Sequence, residues 1–277
     1  MAMETTATLF SDGHHPAQIQ ESYRLPGLDI VIPVHNEENS IASSLRELCE
    51  LLAATGKYKF RLIVCEDGSS DKTLQILERL SVDLPIRLVT SPRRKGYARA
   101  VTDGLRESEA DYCAVFEGDG QTDPRGIEIL LDHIRGQDVV VGWRNPRSDH
   151  WFRKAMSRGF RGVYRMFFDV ALTDPSYACI LIRGPVLRHV MPHIRGRMPA
   201  GFFWEFNAWC HALELRVAEV PVPHRSRRHG KTRVYHASKL PGIAFLHVTA
   251  LFQLLGDIGA IEQRARRTTG RRLVPER

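Results

Sequence analysis

Between Leu28 and Gly142, short apolar runs rich in β-branched residues alternate with longer stretches whose leucines and isoleucines recur at helical spacing. LDIVIPV (28–34), FRLIVCE (60–66), IRLVT (86–90), DYCAVFE (111–117) and DVVVG (138–142) read as strands. Ile41, Leu45, Leu48 and Leu52, then Leu74, Leu77 and Leu80, then segments 97–107 and 124–134, read as the helices between them. Asn36 or Asn39 would cap the first helix and Gly56 would end it. Parallel neighbours need long crossovers, and helices supply them. The pattern therefore predicts an α/β fold with a mostly parallel sheet covered on both faces. In such sheets ligands bind beyond the carboxyl ends of the strands. The polar residues gather at those ends: His35, Asn36 and Glu37 after the first strand, Glu66 and Asp67 after the second, Glu117 to Gln121 after the fourth.

In that last group Glu117, Asp119 and Gln121 occupy alternate positions, separated by Gly118 and Gly120. Alternate residues of an extended backbone face one side, so two carboxylates and an amide oxygen are expected to converge without crowding from the glycines. Such hard oxygen ligands suit Mg²⁺ or Mn²⁺ with positions left open for the phosphates of a bound nucleotide. The competing reading is a solvated acidic turn.

The sequence becomes basic after Gly142. WRNPRSDHWFRKAMSRGFRGVYR (143–165) interleaves cations with aromatic residues, and HRSRRHGKTRVY (224–235) is a second basic loop. Guanidinium forks are natural partners of phosphate oxygens, although a helix with this many cations is often a solvated face. Gly201 to Leu213 reads as a helix containing Glu205, and LRVAEVPV (215–222) as a strand. The net charge of +7 is concentrated at the end, where Arg264, Arg266, Arg267, Arg271, Arg272 and Arg277 face Glu276 alone. The five cysteines form no CxxC pair and read as reduced core residues. No apolar run follows a basic start, so a cleaved signal peptide is not expected and a cytoplasmic location is.

These motifs, in this order, resemble the inverting family 2 glycosyltransferases of GT-A fold, closest to the dolichyl- or polyprenyl-phosphate sugar synthases. IPVHNEEN is similar to the family's first strand and PxYNE turn, with His35 in place of the usual tyrosine. CEDGSSDKT is similar to the DDGSxD turn, and Glu117, Asp119 and Gln121 to its DxD followed by Gln. WFRKAMSR resembles the basic stretch after that strand, and RRHGKTR the RxxGxSK loop. The resemblance implies a nucleotide-sugar donor. Pro33, His35, Glu37 and Asp67 would surround its base and ribose, with Lys95 on the same binding surface. Glu117, Asp119 and Gln121 would hold Mg²⁺ or Mn²⁺, while Arg153, Arg158, Arg227 and Lys231 would address donor or acceptor phosphate. Glu117 departs from the family's Asp by one methylene. TDPSYACILIRG keeps Asp174 but lacks the Gly-Phe-Arg stretch usual on the acceptor side.

The expected organisation is a flexible leader (1–27), a GT-A catalytic domain (28–236), an apolar C-terminal helix (237–262) and a basic tail (263–277). The acceptor is expected to be a polyprenyl phosphate, an anion that needs no general base. A hydroxyl of a small-molecule or natural-product acceptor would need one, and Asp174 and Glu205 are then the candidate catalytic residues, each equally readable as a helix cap or structural ion pair. Leu240 to Gly256 is uncharged but marginal for spanning a bilayer. It is expected either to lie at the inner face of the membrane, with the arginine tail drawn to anionic lipid, or to pack on the catalytic domain or on a second subunit of a homo-oligomer. A dinucleotide-dependent oxidoreductase is disfavoured because no GxGxxG follows the first strand. Nucleic-acid binding is disfavoured because the acidic turns would repel a phosphate backbone.

Overall fold

The computed structural model describes residues 25–145, 151–168, 172–198, 201–225 and 240–269. Seven strands, β1 (Gly27–Val34), β2 (Lys59–Asp67), β3 (Ile86–Ser91), β4 (Tyr112–Val115), β5 (Val139–Arg144), β6 (Ile180–Arg183) and β7 (Val217–Val222), form one sheet in the order β3-β2-β1-β4-β6-β5-β7. Only β6 runs against its neighbours, and the remaining pairs are parallel. The helices are α1 (Ile41–Thr55), α2 (Thr73–Asp83), α3 (Tyr97–Arg106), α4 (Arg125–His133), α5 (Trp151–Phe167), α6 (Gly184–Val190), α7 (Phe202–Ala212) and α8 (Leu240–Thr269).

Strand alternation divides the core into two layers. Ile30 and Ile32 face α1, α2 and α4 through Leu45, Leu48, Leu77 and Leu130. Val31 faces the other side, where Val101, Tyr164, Leu187, Phe206 and Leu251 pack. On that side α3 lies so close to the sheet that a Cβ on Gly104 would meet Val31 Cγ1 at 2.5 Å and Cys65 Sγ at 2.6 Å. All five cysteines are buried as free thiols. Burial pushes Cys49 up to about 11 and Cys65 up to about 12, so these thiols are inert packing groups.

The expected strands and helices up to Val222 are present, with ends displaced by a residue or two, whereas the C-terminal helix extends seven residues beyond its expected end at 262. Gly56 closes α1 at φ 59° as expected. Asn36 and Asn39 do not cap it: Ser40 holds that position and makes no side-chain capping bond. β6 was not anticipated, and its reversed direction matters most for the site. Val115 and Val141 both pair with Ile180, the first residue of β6. An antiparallel strand begins where its neighbours end, so the segment Asp174–Cys179 is delivered to the same edge as the residues after β1, β2, β4, β5 and β7. The C-terminal helix runs from Leu240 to Thr269 and takes in the first arginines of the basic segment.

Candidate active site

The turns after β1 and β2 are laced together. Asn36, at φ 55°, donates its backbone N–H to Ser69 Oγ (2.9 Å) and accepts from the Ser70 N–H at Oδ1 (2.7 Å). Glu37 N–H donates to Thr73 Oγ1 at 2.9 Å, and its carboxylate accepts from Ser40 Oγ at 2.8 Å. His35 Nδ1 lies 3.0 Å from the Asp67 carbonyl oxygen and donates to it. Glu66 closes its own turn by accepting the Ser69 N–H at 2.5 Å. Pro33 sits near the end of β1, opposite Cys65.

Asp67 is 3 % exposed. It accepts the Lys95 N–H at 2.6 Å on one oxygen and the Gly96 N–H at 2.8 Å on the other. Gly96, at φ 95°, permits the turn that starts α3. The Lys95 side chain pairs with Asp103 on α3. Tyr97, the first residue of α3, has an enclosed hydroxyl. Burial raises its pKa well above the ordinary phenol value, and the neighbouring Glu117 and Asp119 carboxylates raise it further. Asp67, Tyr97 and the acidic residues after β4 therefore form one connected arrangement.

Those acidic residues are not extended. β4 ends at Val115, residues 118–121 turn, and Gly120 sits at φ 77°. Asp119 Oδ1 accepts the Gln121 N–H at 3.0 Å. Glu117 and Asp119 converge on Tyr97 through this turn, which corrects the expectation of strand alternation. Two half-buried carboxylates beside one enclosed phenol fit a hard divalent cation. Among the described residues no group of three or more His, Cys, Asp or Glu is arranged to hold a metal unaided. Glu117 and Asp119, with Gln121 beside them, would supply part of a coordination shell, and phosphate oxygens and water the remainder.

Tyr177 lies on the β6 side of this turn. Its hydroxyl donates to Thr122 Oγ1 at 3.4 Å, its ring is 5.8 Å from that of His224, and the Arg144 guanidinium stands 5.2 Å over its centroid. Arg144, at the end of β5, holds Asp174 with two bonds of 2.7 and 3.0 Å. Glu219 of β7 accepts the Thr173 N–H (2.7 and 2.9 Å) and the Asp174 N–H (3.1 Å). Asp174 is thus within the site cluster, as a buried partner of Arg144. Glu205 is occupied elsewhere: its carboxylate accepts the N–H groups of Arg195 (2.8 Å), Gly196 (3.1 Å) and Met198 (3.3 Å), and so shapes the loop before α7.

Sequence reasoning missed Tyr97, Arg144, Tyr177 and Arg225. Arg225 donates its backbone N–H to the Gln121 carbonyl oxygen at 2.8 Å, and its guanidinium to Asp123 (3.1 Å) and Glu47 (2.9 and 2.7 Å). With the Thr122–His224 bridge, it fixes the root of the second basic loop to the acidic turn. Arg227 and Lys231 lie outside the described residues. Arg153 is on α5, and Arg158 is exposed on that helix.

The sheet order, its reversed strand and the acidic turn at its carboxyl edge define a GT-A glycosyltransferase. Residues 29–198, more than half of the chain, match the profile of glycosyl transferase family 2, and the chain belongs to that family. It is 28% identical over 229 residues to undecaprenyl-phosphate 4-deoxy-4-formamido-L-arabinose transferase of Edwardsiella ictaluri (strain 93-146), covering 81% of this chain and 67% of that protein. It is 26% identical over 238 residues to dodecaprenyl-phosphate galacturonate synthase of Rhizobium johnstonii, covering 83% and 67%. Glucosyl-3-phosphoglycerate synthase from Mycobacterium tuberculosis, solved with Mn²⁺, UDP and glucosyl-3-phosphoglycerate, superposes with a TM-score of 0.64 at 17% identity, covering 90% of this chain and 87% of that one. The same enzyme solved with Mg²⁺ and UDP gives 0.63 at 16%, covering 90% and 86%.

Proposed function

We propose that this glycosyltransferase moves a sugar from a UDP- or GDP-sugar to a polyprenyl phosphate, in the presence of Mg²⁺ or Mn²⁺, at the inner face of the membrane. The catalytic unit in this reading is residues 28–236. One observation supports the choice of acceptor: both candidate bases already accept hydrogen bonds from the protein itself. Asp174 is held in a two-bond pair by Arg144, and Glu205 is surrounded by three backbone amides. An acceptor hydroxyl needs a base, whereas a phosphate monoester is already anionic. The prenyl-phosphate chemistry in the names of the relatives agrees with this.

The chain's own residues then have distinct tasks. The interlocked turns carrying His35, Glu37 and Asp67 wall the base and ribose end, Asp67 by holding the Lys95–Gly96 turn. Glu117 and Asp119, oriented beside Tyr97, would hold the divalent ion, which when bound neutralises charge on the leaving diphosphate. Arg225 is bonded to the acidic turn, and Arg227 and Lys231, which follow it in the sequence, would supply fixed cations that favour phosphate. In the direct test, purified protein is given UDP- and GDP-sugars with a short-chain prenyl phosphate or with hydroxyl acceptors. Transfer to prenyl phosphate alone is expected. Transfer to hydroxyl acceptors that is lost in Asp174→Asn or Glu205→Gln would establish the alternative, a base-dependent enzyme acting on a small molecule.

A further inference from the structure

α8 has two unlike sides. On one, Ala250, Leu251 and Leu254 are buried in the core, and Asp257 is anchored by Arg195 (3.2 Å) and Arg197 (2.8 Å). On the other, Leu246 is 50 %, Val248 38 % and Phe252 57 % exposed. The other exposed positions described on this helix are Gln253, Gly256, Ala260 and Gln263, none of which is charged. The apolar area continues onto α5. The Phe252 ring meets Phe167 at 5.3 Å, and the adjoining Met166 is 83 % exposed. Arg158 and Arg165, two turns apart on α5, are exposed along one line of that helix, and Met166 is exposed about a quarter-turn round from them.

We propose that this face of α5 and α8, with Met166, Val248 and Phe252 at its centre and Arg158 and Arg165 beside them, docks on an anionic lipid bilayer. The proposal rests on the prenyl-phosphate reading and identifies the surface through which the enzyme reaches such an acceptor. None of the described helices is long and apolar enough to cross a membrane, but an exposed apolar patch bordered by cations suits shallow insertion among anionic headgroups. The sequence adds Arg264, Arg266 and Arg267 to the last turns of α8. A second copy of the chain is a poorer occupant. Two-fold pairing through this face would bring Arg158 and Arg165 of both copies together, whereas lipid phosphates oppose them with negative charge.

The full chain should float with phosphatidylglycerol vesicles at low salt, and far less with phosphatidylcholine vesicles or at high salt. Met166→Asp and Phe252→Asp should each weaken vesicle binding by at least about tenfold. Both sites are exposed, so thermal unfolding and transfer to a water-soluble short-chain prenyl phosphate should stay at the wild-type level. Three results overturn the surface: wild-type protein that does not float, equal flotation on neutral vesicles, or a solution dimer that Phe252→Asp converts to monomer. The two readings fail separately. Flotation lost in the Asp variants, but without transfer to any prenyl phosphate, upholds the surface and overturns the acceptor. Transfer to soluble prenyl phosphate without flotation overturns the surface alone.

Discussion

Asp67 and Tyr97 are joined by a single turn. The Asp67 carboxylate takes the N–H groups of Lys95 and Gly96, and Tyr97 follows directly with its hydroxyl beside Glu117 and Asp119. A residue at the end of β2 thereby controls the surroundings of a turn after β4.

Asp67→Ala should therefore impair the two ends of the donor site together. Loss of a buried acceptor for two amides costs about 1 to 3 kcal/mol. The donor Kd, measured calorimetrically with metal present, is expected to rise at least about fivefold. Unchanged donor and metal affinity would confine Asp67 to a local turn with no influence on the site.

Tyr97→Phe should keep the fold, since only one hydroxyl is removed. By removing the hydroxyl beside Glu117 it is expected to weaken Mn²⁺ binding by about tenfold, the usual scale for a group that orients a metal ligand. Mn²⁺ titration followed by electron paramagnetic resonance reads this without turnover. A wild-type Mn²⁺ affinity would remove the phenol from the metal site.

Asp119→Ala should abolish sugar transfer, and EDTA should do the same to the wild-type enzyme in a manner that added Mg²⁺ or Mn²⁺ reverses. Full activity of the chelated enzyme would exclude the cation from the reaction.

Arg225→Ala tests the junction between the acidic turn and the second basic loop. Burial pushes the Asp123 carboxyl up, but hydrogen bonds from Arg125 and Arg225 outweigh it and leave the pKa below the ordinary value. A depressed folded pKa contributes stability that is complete above the unfolded value of about 3.9 and is lost as pH falls through the folded one. With Arg225 removed, acid unfolding should begin at higher pH. Catalytic efficiency should fall as well, because the root of the loop is released. An acid transition unchanged from wild type would show that Arg125 alone sets the Asp123 charge.

The sequence by itself determined the parallel part of the sheet, its helices and the acidic and polar turns at its carboxyl edge. Those features depend on local periodicity: apolar runs at strand spacing, leucines at helical spacing, and glycines where a turn needs them. Ile180–Arg183 is a run of only four residues, and nothing local states that it inserts in reverse between β4 and β5. Tertiary structure alone decided that direction, and with it the arrival of Asp174 and Tyr177 at the carboxyl edge of the sheet. The same holds for the partners of the charged residues. Asp67, Asp174 and Glu205 all read as possible ligand or base groups, because a carboxylate's role depends on which donors fold against it. Their partners in the fold are two backbone amides, Arg144 and a loop of three amides, contributed from positions 7 to 30 residues away in sequence.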